Sequence, residues 1–126
     1  MADFGMRFAR IFLPLFVPLG MGPRRTRITV DGGALRVRMG WEFRATIPGA
    51  AVRSADRDHA RVLGWGVHGW RGVWLVNGSS RGLVRMDIDP PARAWVIGFP
   101  VRLRTLRLSL EEPDAFLAAL RSARLA

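Results

Sequence analysis

Leu35 to Ile47 reads LRVRMGWEFRATI. Its odd positions are Leu35, Val37, Met39, Trp41, Phe43, Ala45 and Ile47. Its even positions are Arg36, Arg38, Gly40, Glu42, Arg44 and Thr46. Successive side chains of a strand point to opposite faces, so alternation of this length predicts β structure with the odd face buried. A single strand that long is uncommon, and Gly40 is the natural place for a tight turn or a sharp bend. Pro48-Gly49 ends the segment. Upstream, Ile28 to Val30, then Asp31-Gly32-Gly33, then Leu35 onward form a hairpin pattern. Downstream, Val52 to Ala55 reads as another short strand, and Asp56 to Arg61 (DRDHAR) as a polar connection.

That connection leads into Gly64 to Gly82, GWGVHGWRGVWLVNGSSRG, which holds three of the five Trp residues and six glycines. Gly64, Gly66, Gly69 and Gly72 loosen the backbone at short intervals, while Trp65, His68, Trp70 and Arg71 add bulk and polarity between them. The expectation is a loop folded back on the body, with its indoles as anchors. Val73 to Val76 reads as a short strand. Asn77-Gly78 is a hairpin signal, and the alternation from Val84 to Ile88 marks the return strand. This stretch is also the likeliest functional surface, with Trp65, His68, Trp70, Arg71 and Trp74 as candidate ligand-binding residues.

Asp89-Pro90-Pro91 predicts a turn. Beyond it, Val101 and Leu103 lie on one parity and Leu106, Leu108 and Leu110 on the other. That slip at Arg104-Thr105 predicts a bulge or a break between two strands. Glu111-Glu112-Pro113-Asp114 predicts a helix start: proline suits the first helical position and acidic residues complement the helix dipole. Phe116, Leu117 and Leu120 then line one face. At the other end, the apolar run Ile11 to Leu19 is short and contains Pro14 and Pro18. A membrane-spanning helix needs about 20 apolar residues, so residues 1–23 are expected to pack on the body, with an edge strand among them. A membrane-surface anchor or an oligomer contact is the alternative.

The 126 residues make one domain, 1–126, with room for a single core. The absence of Cys excludes disulfides and thiolate chemistry, and fits a reducing, cytoplasmic setting. The net charge of +10 comes entirely from Arg, with no Lys. This Arg-, Ala-, Gly- and Pro-rich usage fits a GC-rich, bacterial genome. Along the chain the arginines look scattered, apart from Arg24, Arg25 and Arg27.

Leu35 to Arg53 (LRVRMGWEFRATIPGAAVR) and Leu106 to Leu120 (LRLSLEEPDAFLAAL) resemble bacterial pleckstrin-homology-like (PH-like) domains. In those domains a strand pair ends in Ile-Pro, and a strand, an acidic-Pro turn and a capping helix close the chain. The likeness runs from about Arg27 onward, and Gly64 to Gly82 is not a general feature of it. The resemblance implies a mainly β fold: a PH-like barrel of two antiparallel sheets, about seven strands, with one C-terminal capping α-helix. It also implies binding or assembly rather than chemistry.

Catalysis needs groups that converge in space. His68 is read as fixing its loop by a hydrogen bond to a backbone carbonyl, and His59 as solvated. No zinc spacing is present, and no cofactor is implied. Arg71 is balanced between gripping a phosphate or carboxylate and stacking on an indole. The leading expectation is a non-enzymatic binding or assembly domain that uses Gly64 to Gly82 to meet anionic lipid headgroups or a partner protein. Self-association and a peripheral membrane location are compatible with it. A basic nucleic-acid-binding β-barrel is the alternative, and a small enzyme using His68 ranks third.

Overall fold

The computed structural model describes residues 2–7, 26–31, 33–58, 66–70, 72–77 and 81–125. The apolar run Ile11 to Leu19 lies outside them. The strands are β1 (Ala2–Phe4), β2 (Thr26–Asp31), β3 (Ala34–Met39), β4 (Phe43–Pro48), β5 (Val52–Arg57), β6 (Gly66–Trp70), β7 (Val73–Asn77), β8 (Leu83–Val96) and β9 (Phe99–Ser109). A 3-10 turn, Gly49–Ala51, joins β4 to β5, and helix α1 (Pro113–Leu125) closes the chain. The sheet order is β1-β2-β3-β4-β8-β9-β7-β6, with β5 paired to β8. The fold is mainly β, a curled open half-barrel with one C-terminal helix.

The long alternating segment divides at Gly40. Met39 pairs with Phe43, leaving Gly40 (φ +56°), Trp41 and Glu42 as a three-residue turn. Leu35, Val37, Met39, Phe43, Ala45 and Ile47 are all buried, so both strands keep the predicted parity. The turn itself breaks it. Trp41, expected inside, is 62% exposed, and Glu42, expected outside, is 7% exposed. A turn residue has no pleat to obey, so its side chain follows the turn geometry rather than the strand period.

β8 is the strand around which the sheet bends. Its first half pairs with β5 and its last three residues with β4. Between them, Asp89-Pro90-Pro91 does not turn the chain as expected. The strand runs through it, while the ladder to β9 jumps from Asp87↔Thr105 to Ala92↔Leu103. Proline offers no N–H to a ladder, so it sits at an irregularity that bends the strand. The phase slip expected at Arg104-Thr105 is the β9 side of this same bulge.

Gly78 lies outside the described residues, and the pairing of β7 with β8 expected across Asn77-Gly78 is absent among the described ones. β7 pairs antiparallel with β6 and parallel with β9, and never with β8. The hairpin in this region joins β6 to β7, with Trp70 opposite Val73 and Gly72 at φ +86°. Gly72 O accepts hydrogen bonds from the N–H groups of Arg104 and Thr105, at 2.8 and 3.1 Å, which tie the hairpin to β9. Thus Gly66 to Trp70 is a strand, not the expected folded-back loop.

The barrel interior is apolar, with Ile28, Leu35, Phe43, Ile47, Met86, Leu103, Leu106 and Phe116 fully buried. Helix α1 packs on β2, β5 and the 3-10 turn. Its Phe116, Leu117 and Leu120 are buried as the spacing predicts. At the other terminus, β1 is an edge strand on β2, and Met6 is buried beside Leu110. One ion pair reaches inside: Arg107 Nε donates to Asp58 Oδ2, with the two side chains 19% and 8% exposed. Removing one partner of a buried pair strands the other charge. Asp58→Asn should therefore cost about 3 kcal/mol in urea unfolding. The double variant Asp58→Asn, Arg107→Met should recover most of that loss.

Candidate functional site

Even positions of β3 and β4, together with Arg27 and Thr29 of β2, form the outer face of the sheet. The register aligns them in rows. Arg27 lies opposite Arg38, and Arg38 opposite Arg44. In the next row Thr29 lies opposite Arg36, and Arg36 opposite Thr46. Neighbouring strands are about 4.8 Å apart, so each row is a compact band of side chains. The first row continues onto β8 and β9, where Arg44 pairs with Trp95 and Trp95 with Pro100. Exposed Arg93 and Arg102 face each other alongside. Arginines scattered along the chain are thereby gathered on one face.

Carboxylates meet this face only at its edge. Asp3 accepts from Thr29 Oγ1 at 2.7 Å and pairs with Arg27 at 3.5 Å, while Asp31 pairs with Arg36. The hydrogen bond from Thr29, then the Arg27 guanidinium, holds the Asp3 carboxyl below its ordinary range. Among the described residues no ion pair involves Arg38, Arg44, Arg93 or Arg102. Arg38 Nε donates to Gly40 O at 3.4 Å. The Arg44 guanidinium stands 5.9 Å from the centre of the half-buried Trp95 ring, a cation–π contact.

Two hollows open on this face. One, of about 350 Å³, is walled by Arg27, Thr29, Arg36, Arg38, Arg44 and Thr46. The second, about 220 Å³, adjoins it through Arg38 and Arg44 and is completed by Gly40, Trp41, Trp95 and Gly98. Guanidinium groups therefore line both a shallow basin and an indole-lined notch, and Thr46 adds a hydroxyl to the basin. Such donors suit phosphate or carboxylate oxygens.

The notch sits where two turns meet. Ile97 N–H donates to Glu42 O at 2.9 Å, joining the β8–β9 turn to the β3–β4 turn. Ile97 (φ +49°) and Gly98 (φ +80°) both take left-handed backbone, as a two-residue type I′ hairpin requires. A β-branched residue seldom adopts that conformation. The Glu42 carboxyl is buried, and among the described residues its Oε2 has no hydrogen-bond partner. Burial raises its pKa, and the backbone N–H groups of Glu42 and Trp41 oppose that shift.

The expected site residues are placed differently. Trp65 and Arg71 lie outside the described residues. His68 and Trp70 belong to β6, opposite Leu75 and Val73. Trp74 is half-buried against the core, its indole covering Gly69, where a Cβ would come within 2.1 Å of the ring. Trp74 is thus an anchor, and Gly69 is the residue that admits it. The structure assembles instead Arg27, Arg36, Arg38, Arg44, Trp41 and Trp95. Their signal in the sequence was the parity of Arg36, Arg38 and Arg44 on adjacent strands. Among the described residues no group of acidic or His side chains could hold a metal ion, and no helix is long and apolar enough to cross a membrane.

No family model, no curated protein and no solved structure matches the chain.

Two substitutions check the geometry of the notch. A carboxyl whose folded pKa is raised binds its proton more tightly when folded. Its contribution to stability is therefore greatest below the unfolded value of 4.5 and falls as pH rises through the folded pKa. Glu42→Gln removes this dependence, so the variant should gain in melting temperature over wild type at pH 7 and lose that gain near pH 4. Ile97→Asn relieves left-handed strain, because Asn tolerates positive φ. It should stabilise the fold by about 1 kcal/mol in denaturant unfolding.

Proposed function

We propose that this protein is a non-enzymatic binding domain that takes a phosphate-bearing anionic ligand on the arginine face of β2, β3 and β4. The observation that carries this reading is the row Arg27, Arg38, Arg44. Like charges directly opposite one another destabilise a sheet, and this row adds nothing to the core. A ligand that bridges the guanidiniums turns the repulsion into attraction, with charge-assisted hydrogen bonds whose geometry suits phosphate.

Several described carboxylates support the same reading, because they are engaged in structural contacts rather than with the arginine row. Asp87 accepts from Ser54 Oγ at 3.0 Å and Thr105 Oγ1 at 3.1 Å, tying β5, β8 and β9 together. Asp58 holds Arg107, and Asp31 caps the β2–β3 turn by accepting from Ala34 N–H at 3.2 Å. The resemblance to PH-like domains belongs to this proposal as well. A mainly β, curled half-barrel with one C-terminal helix is consistent with the capped barrel that resemblance implies, and such folds serve binding and assembly. Nucleic acid is the second reading, favoured by the Arg44–Trp95 contact, since basic and aromatic side chains side by side are what a single strand uses.

Titration calorimetry with inositol hexakisphosphate tests the arginine face directly. Wild type should bind, and binding should weaken as salt screens the charges. Arg38→Gln with Arg44→Gln should reduce affinity about tenfold or more, while Arg121→Gln on the helix should leave it unchanged. No binding by wild type, or equal binding by the double variant, would overturn the proposal.

A further inference from the structure

Among the described residues four large apolar side chains stand exposed: Trp41 at 62%, Val73 at 44%, Ile97 at 55% and Phe99 at 72%. Three of them share one end of the barrel. Trp41 is in the β3–β4 turn, Ile97 is in the β8–β9 turn, and Phe99 follows that turn opposite Val96. The Ile97–Glu42 hydrogen bond holds the two turns side by side. Arg38 and Arg44 line the notch immediately behind Trp41.

We infer that this end of the barrel docks on an anionic lipid bilayer. Trp41, Ile97 and Phe99 enter the interface, and Arg38, Arg44 and the adjoining arginines meet headgroup phosphates. The inference rests on the anion-binding reading of the arginine face and names the ligand as a membrane surface. Three observations select it. First, the apolar groups project from hairpin tips, a shape that enters a bilayer without needing a matching cavity. Second, the basic face adjoins the apolar tips, giving charge complementarity to anionic headgroups where insertion would bring them close. Third, the left-handed position 97 (φ +49°) carries an exposed isoleucine, where Asn or Gly would serve the turn at lower cost.

Nucleic acid accounts for less of this. Bases stack on aromatic faces, which would use Trp41 and Trp95 but leave Ile97 idle. A bilayer uses all three tip residues, with the Trp41 indole suited to the headgroup boundary. Burying a side chain the size of Phe or Ile strengthens partitioning by about ten- to a hundredfold. Each arginine near an anionic leaflet adds about fivefold.

The test is sedimentation of the full chain with vesicles of phosphatidylcholine, with and without phosphatidylserine. Wild type should pellet with the mixed vesicles only, and less so at high salt. Ile97→Asn with Phe99→Ser should lose about tenfold or more in vesicle affinity while still binding inositol hexakisphosphate. Arg38→Gln with Arg44→Gln should lose both. Brominated lipid should quench tryptophan fluorescence in wild type and quench it less in Trp41→Phe. Equal pelleting by the tip variant overturns the inference. So does a wild type that binds inositol hexakisphosphate but no vesicle, in which case the arginine face stands and a single-stranded oligonucleotide is the next ligand to titrate. A wild type that binds neither probe sinks the two readings together.

Discussion

The three-residue turn at Gly40, Trp41 and Glu42 determines which side of the sheet every neighbouring residue occupies. Because Met39 meets Phe43, the odd positions of both strands face inward together. A shift of one residue would carry Arg44 and Thr46 into the core and expel Phe43, Ala45 and Ile47. The same register that packs the interior aligns Arg38 with Arg44 outside. Core and arginine face are thus two consequences of one pairing. β8 then extends the arrangement, since its pairing with β4 sets Trp95 beside Arg44.

The two faces contribute unequally to stability. The inner face is almost wholly apolar and supplies the driving force for folding. The outer face places guanidiniums opposite one another, each such pair costing a few tenths of a kcal/mol up to about 1 kcal/mol. Asp3 and Asp31 relieve the outermost arginines, and Trp95 shelters one side of Arg44. Arg38 stands between two like charges with only a backbone carbonyl at 3.4 Å. A face selected for stability alone would alternate signs here, or carry Thr and Val.

Period-two alternation made β3, β4 and their burial legible, because a strand repeats its environment every second residue. The helix was equally plain in its acidic-proline start and in Phe116, Leu117 and Leu120. Where the reading failed, the missing information was long-range. Asn77-Gly78 has the chemistry of a hairpin, but which strand lies beside β7 depends on β9, some thirty residues further along. Asp89-Pro90-Pro91 has the chemistry of a turn, but β4 and β5 hold both halves of β8 and make it a bend. The basic face was hidden for a similar reason. Its arginines are neighbours only across strands, so a linear scan finds them scattered. The residues of the Trp-rich stretch are adjacent in sequence, yet Trp74 packs against the core and covers Gly69.

Several unfavourable local features of this fold gather in one place. Among the described residues, a β-branched residue with positive φ, a buried carboxylate oxygen without a donor, three exposed apolar side chains and the unpaired Arg38 all lie around two adjoining turns. Each alone is tolerable in a domain of this size. Their coincidence has a structural cause, because Glu42 of one turn both buries its carboxyl and offers its carbonyl to Ile97 in the other. The two turns therefore meet at one residue, whose carbonyl holds Ile97 in place. A pair of tips braced this way presents Trp41, Ile97 and Phe99 in fixed relation to Arg38 and Arg44. A rigid presentation reduces the ordering cost of binding, which gives the strain a physical use at the end of the barrel that carries it.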